Sequence, residues 1–230
     1  MDTIFVGIFG TLALAGTLLY AVGDVLLLAG RVTLDEHSKI KPYTKLLSGA
    51  EKMAAFSPRR MMWGALIGVF STPLVLTGFW LVYQGLGGGN AWGAVAVFGL
   101  FGTASVIGTF VHGSFYYMGE YVHALNSVDE VSQPFIAGMI ERHKKVLLVT
   151  YAPLLGFVVV ASVWFSALVL QGGTRFPMWM AAVNPVTATI VWMLGKRVLP
   201  QFVRDWTEGA GFNIAYLVFF ACVTFTLWSR

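Results

Sequence analysis

Residues 91–124 read AWGAVAVFGLFGTASVIGTFVHGSFYYMGEYVHA, an apolar and small-residue stretch interrupted on one side by His112, Tyr116, Glu120 and His123. Steps of four, four and three place those side chains along one face of a helix. The stretch exceeds the roughly 20 residues needed to cross a hydrocarbon core. Ionisable groups inside such a span are costly, so the stripe marks a candidate functional site.

The rest of the chain has the same character. Of 230 residues, 57% are hydrophobic and 11% charged, and the mean hydropathy is +0.73. That balance points to an all-α, polytopic membrane protein with one transmembrane domain over 1–230. Six spans are predicted at 3–29, 60–86, 91–124, 146–171, 176–195 and 208–228. Thirteen of the fifteen Lys and Arg residues fall in the connections after spans one, three and five. The positive-inside rule then places those connections in the cytoplasm and both termini outside. The outer loops, Gly85–Asn90 and Gln171–Arg175, are short and glycine-rich. The net charge of +4 follows this topology and implies anionic membrane lipids as partners, not nucleic acid. Asp2, the lack of a basic leader and the length of the first apolar run argue against a cleaved signal peptide. Cys222, the one cysteine, excludes an intrachain disulfide.

Two connections carry helical patterns. Leu46, Leu47, Ala50, Met53 and Phe56 recur at helical spacing within Tyr43–Phe56, which predicts a short amphipathic helix on the inner leaflet. Ser132 is placed to cap a similar helix with Pro134 in its first turn. Spans two and five share a pattern: Thr72-Pro73 precedes Thr77 and Trp80, and Asn184-Pro185 precedes Thr189 and Trp192. Each proline would free a carbonyl one turn earlier, at Val69 and Ala181. These are the middle spans of two three-helix halves, which raises an inverted repeat.

Depth along each span locates the polar residues. At about 1.5 Å per residue, Asp24, Glu120 and Asn213 lie roughly 6–8 Å from the inner ends, and His112 and Asn184 roughly 16–18 Å. Tyr20, Tyr116 and Tyr151 fall in the same slab, with His123 nearer the surface. The reading is an inner-leaflet pocket built from five helices. Asp24, His112 and Glu120 are the candidate catalytic residues, with Asp24 orienting His112 as a general base. Tyr20, Tyr116, Tyr151, Asn184, Asn213 and His123 are the candidate substrate-binding residues. No cofactor is expected. Paired b-type haems need more intramembrane histidines than His112 and His123, and a retinal Schiff base needs a deeper lysine than Lys196. A shared metal is disfavoured because His112 and Glu120 are about 12 Å apart along their helix.

The run Tyr20-Ala21-Val22-Gly23-Asp24-Val25-Leu26-Leu27-Leu28 resembles the Gly-Asp-hydrophobic-Leu-Leu motif of the YhhN-type lysoplasmalogenase family. That resemblance implies a polytopic membrane enzyme that hydrolyses a lysolipid, with Asp24 as a catalytic aspartate. The family also carries a second aspartate-bearing helix and eight spans. The whole-chain pattern resembles that of bacterial six-helix membrane proteins, which implies the inner (plasma) membrane. The leading expectation is therefore an intramembrane hydrolase of an amphiphilic lipid or lysolipid. A proton-coupled transporter or small-molecule-binding protein is the first alternative, and a structural or sensory subunit the second. A homo-oligomer is left open.

Overall fold

Three helices begin where a polar side chain meets an apolar run. Asp2, Ser57 and Asn90 accept hydrogen bonds from the backbone N–H of Ile4, Arg60 and Gly93, at 2.9, 3.3 and 2.8 Å. Each satisfies a donor that the first helical turn leaves free. The computed structural model describes residues 2–229, and no strand occurs among them. The helices are α1 (Thr3–Leu28), α2 (Thr44–Leu47), α3 (Pro58–Leu86), α4 (Ala91–Ser127), α5 (Gln133–Gln171), α6 (Pro185–Gly195), α7 (Gln201–Trp206) and α8 (Gly211–Trp228). Five of them, α1, α3, α4, α5 and α8, are long and apolar enough to cross a membrane.

The fifth predicted span takes a different form. Residues 176–195 divide into a 3₁₀ turn at Met178–Ala182 and the 11-residue α6. Alone, α6 rises only about 17 Å. Yet the segment joins opposite ends of the bundle. At one end the Arg175 N–H donates to the Gly85 carbonyl (2.8 Å), joining the two glycine loops. At the other, Asp205 and Glu208 pair with Arg31 and Lys52, each at 2.5 Å.

Helices α4 and α5 have 37 and 39 residues, about 55 and 58 Å, so they outrun a bilayer core of about 30 Å at the lysine-rich end. This corrects the separate helix expected after Ser132, because that segment is the start of α5. Ser132 makes no side-chain cap. Asp129 accepts from the Ser132 N–H instead (2.8 Å), and that backbone bond holds its carboxyl below the usual carboxylate range.

The expected amphipathic helix at Tyr43–Phe56 is also replaced. The chain forms 3₁₀ turns on either side of α2, with Ser48 and Gly49 at φ 51° and 96° reversing its direction. Ile40, Leu47, Met53 and Phe56 are buried among Met118, Val122, Leu125 and Ile140 of the projecting α4–α5 hairpin. The apolar face is spent on protein rather than lipid because the two long helices supply a wall beyond the membrane. Most of the core lies toward the glycine-loop end, where Phe79, Phe101, Phe165, Phe219 and Phe220 from four helices form one aromatic plug.

The two prolines of the expected repeat have different settings. Pro73 lies inside the continuous α3, while Pro185 opens α6. The Ala181 carbonyl expected to be free accepts from Ser166 Oγ at 2.7 Å. The sequence match therefore has no matching geometry.

Arg60 ties the ends of α1 and α3 together. Its guanidinium donates to the carbonyls of Leu26 (2.9 Å), Val25 (3.2 Å) and Ala29, and lies 3.8 Å from the centroid of Phe56. The Val25 carbonyl also accepts from the Ala29 N–H (3.0 Å), whereas those of Leu26 and Ala29 lie where the helix runs out of backbone donors. Arg60→Ala is expected to lower stability in detergent by about 1–2 kcal/mol, with Arg60→Lys recovering little because the planar fork is lost. An unchanged melting temperature for Arg60→Ala would contradict this role.

Candidate functional site

Helix α1 can approach α3 closely because both carry glycine at the crossing. A Cβ on Gly23 would stand 2.8 Å from the Gly64 carbonyl oxygen, and one on Gly64 would stand 3.0 Å from that of Gly23. The spacing Gly64-x3-Gly68 is a small-residue motif that permits tight helix packing in membranes. Into this notch α4 inserts His112. A Cβ on Gly68 would fall 2.1 Å from both His112 Nε2 and Cδ2, so the imidazole occupies the place of that missing side chain.

The ring is held at both nitrogens. Nε2 lies 3.0 Å from the Gly64 carbonyl oxygen, which can only accept, so Nε2 carries a proton. Nδ1 faces Asp24 Oδ1 at 3.4 Å, the range of an ion pair and longer than a well-formed hydrogen bond. Asn213 Nδ2 donates to Asp24 Oδ2 at 2.6 Å. Asp24 and His112 are 8% and 7% exposed. At that burial, two opposed lone pairs would repel strongly. The pair is consistent if one proton lies on the Nδ1–Oδ1 axis, as imidazolium with carboxylate or imidazole with carboxylic acid. His112 therefore has no free nitrogen to act as a general base on a substrate. Both Asp24 and His112 face the cavity.

This cluster forms part of the wall of a cavity of about 470 Å³ lined by α1, α3, α4, α5, α6 and α8. Tyr20, Asp24, His112, Tyr151 and Asn213 of the expected set line it. Above His112 runs a directed hydroxyl chain. Thr109 Oγ1 donates to the Ser105 carbonyl (3.0 Å), so it accepts from Thr72 (2.8 Å), which in turn accepts from Tyr20 (2.7 Å). The Tyr20 hydroxyl thus gives its proton to Thr72 and presents lone pairs elsewhere. Val75 and Ala104 line the end of the cavity nearest the aromatic plug, where Phe79 stacks on Phe101 with centroids 4.5 Å apart.

Four expected residues lie elsewhere. Asn184 is the N-cap of α6, its Oδ1 accepting from the Val186 and Thr187 N–H groups (3.0 Å each) and its Nδ2 donating to Ser166 (3.1 Å). A segment broken before Pro185 needs that cap, which explains a polar residue at this depth. His123 Nε2 bonds the Phe56 carbonyl (2.8 Å) and fastens the connection after α1. Tyr116 packs with the core at the lysine-rich end and with Tyr117. Glu120 lies one turn from Tyr116, outside the cavity lining, with Oε1 buried and without a hydrogen-bond partner. Among the described residues, no three His, Cys, Asp or Glu side chains gather closely enough to share a metal ion.

Thr72 and Tyr216 also line the cavity, and Gly64 and Gly68 shape its wall, four positions given no site role from the sequence. The Gly64-x3-Gly68 spacing was the available signal for the notch, whereas Tyr216 offered none beyond its aromatic character. Gly68→Ala is expected to expel the His112 ring and lower stability by about 1–3 kcal/mol through overpacking. Gly99→Ala, on the same helix as His112 with nothing within 4 Å of the added methyl, should leave the melting temperature unchanged or raised. Equal effects of the two substitutions would contradict the notch.

No curated protein and no solved structure matches the chain. One family model does match, from residue 1 to residue 230, described as a family of unknown function, DUF6796. The chain belongs to the DUF6796 family.

Proposed function

We propose that this protein is a membrane-embedded hydrolase of an amphiphilic lipid or lysolipid, with Asp24 as its acid–base group. The observation that carries the reading is the polar run Asn213–Asp24–His112–Gly64, hydrogen-bonded at its two ends and joined by the 3.4 Å Asp24–His112 contact, in the wall of a largely apolar cavity beside the aromatic plug. Buried charge-capable groups are an expensive way to hold helices together, and a cavity beside them supplies a use. The resemblance of Tyr20–Leu28 to the lysoplasmalogenase motif adds weight to Asp24 alone, since no second aspartate lines the cavity.

The proposed chemistry follows from the proton count. In the imidazolium–carboxylate form, Asp24 Oδ2 retains a lone pair beside its bond from Asn213. It takes a proton from water as the water oxygen attacks the substrate carbon. His112 stays protonated on both nitrogens, and its positive charge offsets the oxyanion that forms. Asp24 then gives the acquired proton to the leaving oxygen as the carbon–oxygen bond breaks. Water is consumed, and Asp24 and His112 return to their starting state. His112 is thus a positioning and charge-balancing residue. The Tyr151 and Tyr216 hydroxyls, which make no hydrogen bond within the described residues, are available to the substrate.

Mass spectrometry of lipids incubated with the purified protein tests this. Asp24→Asn should abolish turnover by at least about 100-fold, the usual weight of acid–base catalysis. Asn184→Ala should retain turnover while losing about 1 kcal/mol of stability, the value of a helix cap. Loss of no lipid in the wild type, or equal turnover by Asp24→Asn, would defeat the proposal.

The membrane placement proposed with it has six crossings, residues 176–195 forming the composite fifth, with both termini outside and the lysine-rich end in the cytoplasm. Support comes from the contacts that join that segment to both ends of the bundle. In a Cys222→Ala background, single cysteines at Thr3 and Ser229 should both react with an impermeant thiol reagent applied outside. One at Glu130 should react only after permeabilisation. Labelling of Thr3 and Ser229 from opposite sides would establish an odd number of crossings instead.

A further inference from the structure

A second cavity, also of about 470 Å³, adjoins the first. Leu28, Val111, Phe115, Tyr151, Glu208 and Gly209 line both, so the two spaces share a wall at those residues. Leu28 is one turn, about 6 Å, along α1 from Asp24. The second cavity therefore lies on the lysine-rich side of the cluster. Its wall carries charges: Lys52 from the connection after α1, Lys144 from α5, and Glu208 from the turn before α8.

Both lysines are built into their positions. The Lys52 side chain is only 13% exposed, and its ammonium lies 2.5 Å from Glu208 Oε2. Lys144 Nζ donates to Ser48 Oγ (3.0 Å) and to the Leu46 carbonyl, at the edge formed by the reversal of Ser48 and Gly49. An ammonium has three donors. Lys52 uses one and keeps two, and Lys144 uses two and keeps one. Two lysines against one glutamate also leave the lining with an excess of positive charge.

We propose that the lysine-lined cavity receives the phosphate-bearing head group of a single-chain amphiphile. The remaining N–H donors of Lys52 and Lys144 bind the phosphate oxygens. Glu208 occupies Lys52 in the unliganded protein and gives way to the phosphate. The chain extends past Asp24 into the apolar end of the first cavity. This rests on the proposed function for the identity of the reacting bond, and on the cavities and charges for the head group.

The test measures binding alone, with an ether-linked probe that cannot be hydrolysed at an acyl bond. Alkyl glycerol phosphate, alkyl glycerol of the same chain length, and inorganic phosphate are each titrated against the full-length protein in nanodiscs. The alkyl glycerol phosphate should bind about tenfold more tightly than alkyl glycerol, as expected for charge-assisted contacts. Lys52→Met and Lys144→Met should each remove most of that preference. Glu208→Gln should strengthen phosphate binding severalfold, a gain that a misfolded variant would not produce. Alkyl glycerol binding should be unmoved by all three substitutions. Equal binding of the charged and neutral lipids, or insensitivity to Lys52 and Lys144, would overturn the proposal. Lysine-dependent binding of inorganic phosphate as tight as that of the lipid would overturn the lipid head group in favour of free phosphate. Because no turnover is read, such a failure would leave the hydrolase reading intact, and a failed Asp24→Asn turnover assay would leave this one intact.

Discussion

The candidate site depends on one polar insertion, the His112 imidazole set into a glycine notch between α1 and α3. The notch exists because Gly23, Gly64 and Gly68 carry no side chain where the two helices cross. The ring that fills it bonds the Gly64 carbonyl and faces Asp24, so the same contact sets helix spacing and the protonation of the cluster. In hydrocarbon these groups have no water to fall back on, and each must be satisfied by its neighbours. Moving any one of the three helices would expose a lone pair or a charge.

The surrounding architecture separates two jobs. Toward the glycine loops, aromatic side chains from α3, α4, α5 and α8 pack into a closed core. Toward the lysine-rich end, α4 and α5 continue beyond the bilayer thickness and collect the connection after α1 against themselves. The cavities occupy the region between, the first walled in part by α6 and α8 and the second by the connection after α1 with α4 and α5. A dry plug on one side and a charged opening on the other suit a ligand with one apolar and one polar end.

Much of this was legible in the sequence, because hydropathy and the spacing of polar residues are local properties. The apolar stretch with His112 marked α4, and depth along the spans brought Asp24, His112, Tyr20, Tyr151 and Asn213 into one slab. What depth could not supply was azimuth. Asn184 shares the depth of His112, yet its side chain turns back to cap α6 because the chain breaks at Pro185. Glu120 and Tyr116 share the helical face of His112, but neither lines the cavity. The buried role of Tyr43–Phe56 was hidden because an apolar face reads alike whether lipid or protein covers it. The seating of His112 against the Gly64 carbonyl is a contact between helices distant in the chain, which residue spacing on one helix does not encode.

The most direct test of the account is a cryo-electron microscopy map of the full chain in native-lipid nanodiscs, enlarged by a bound antibody fragment. Elongated density is expected inside the cavity, its polar end between Asp24 and Lys52 and its tail ending below Phe79 and Phe101. A map in which α8 closes against α4 and α5, leaving the cavity collapsed and lipid only on the outer surface, would contradict it.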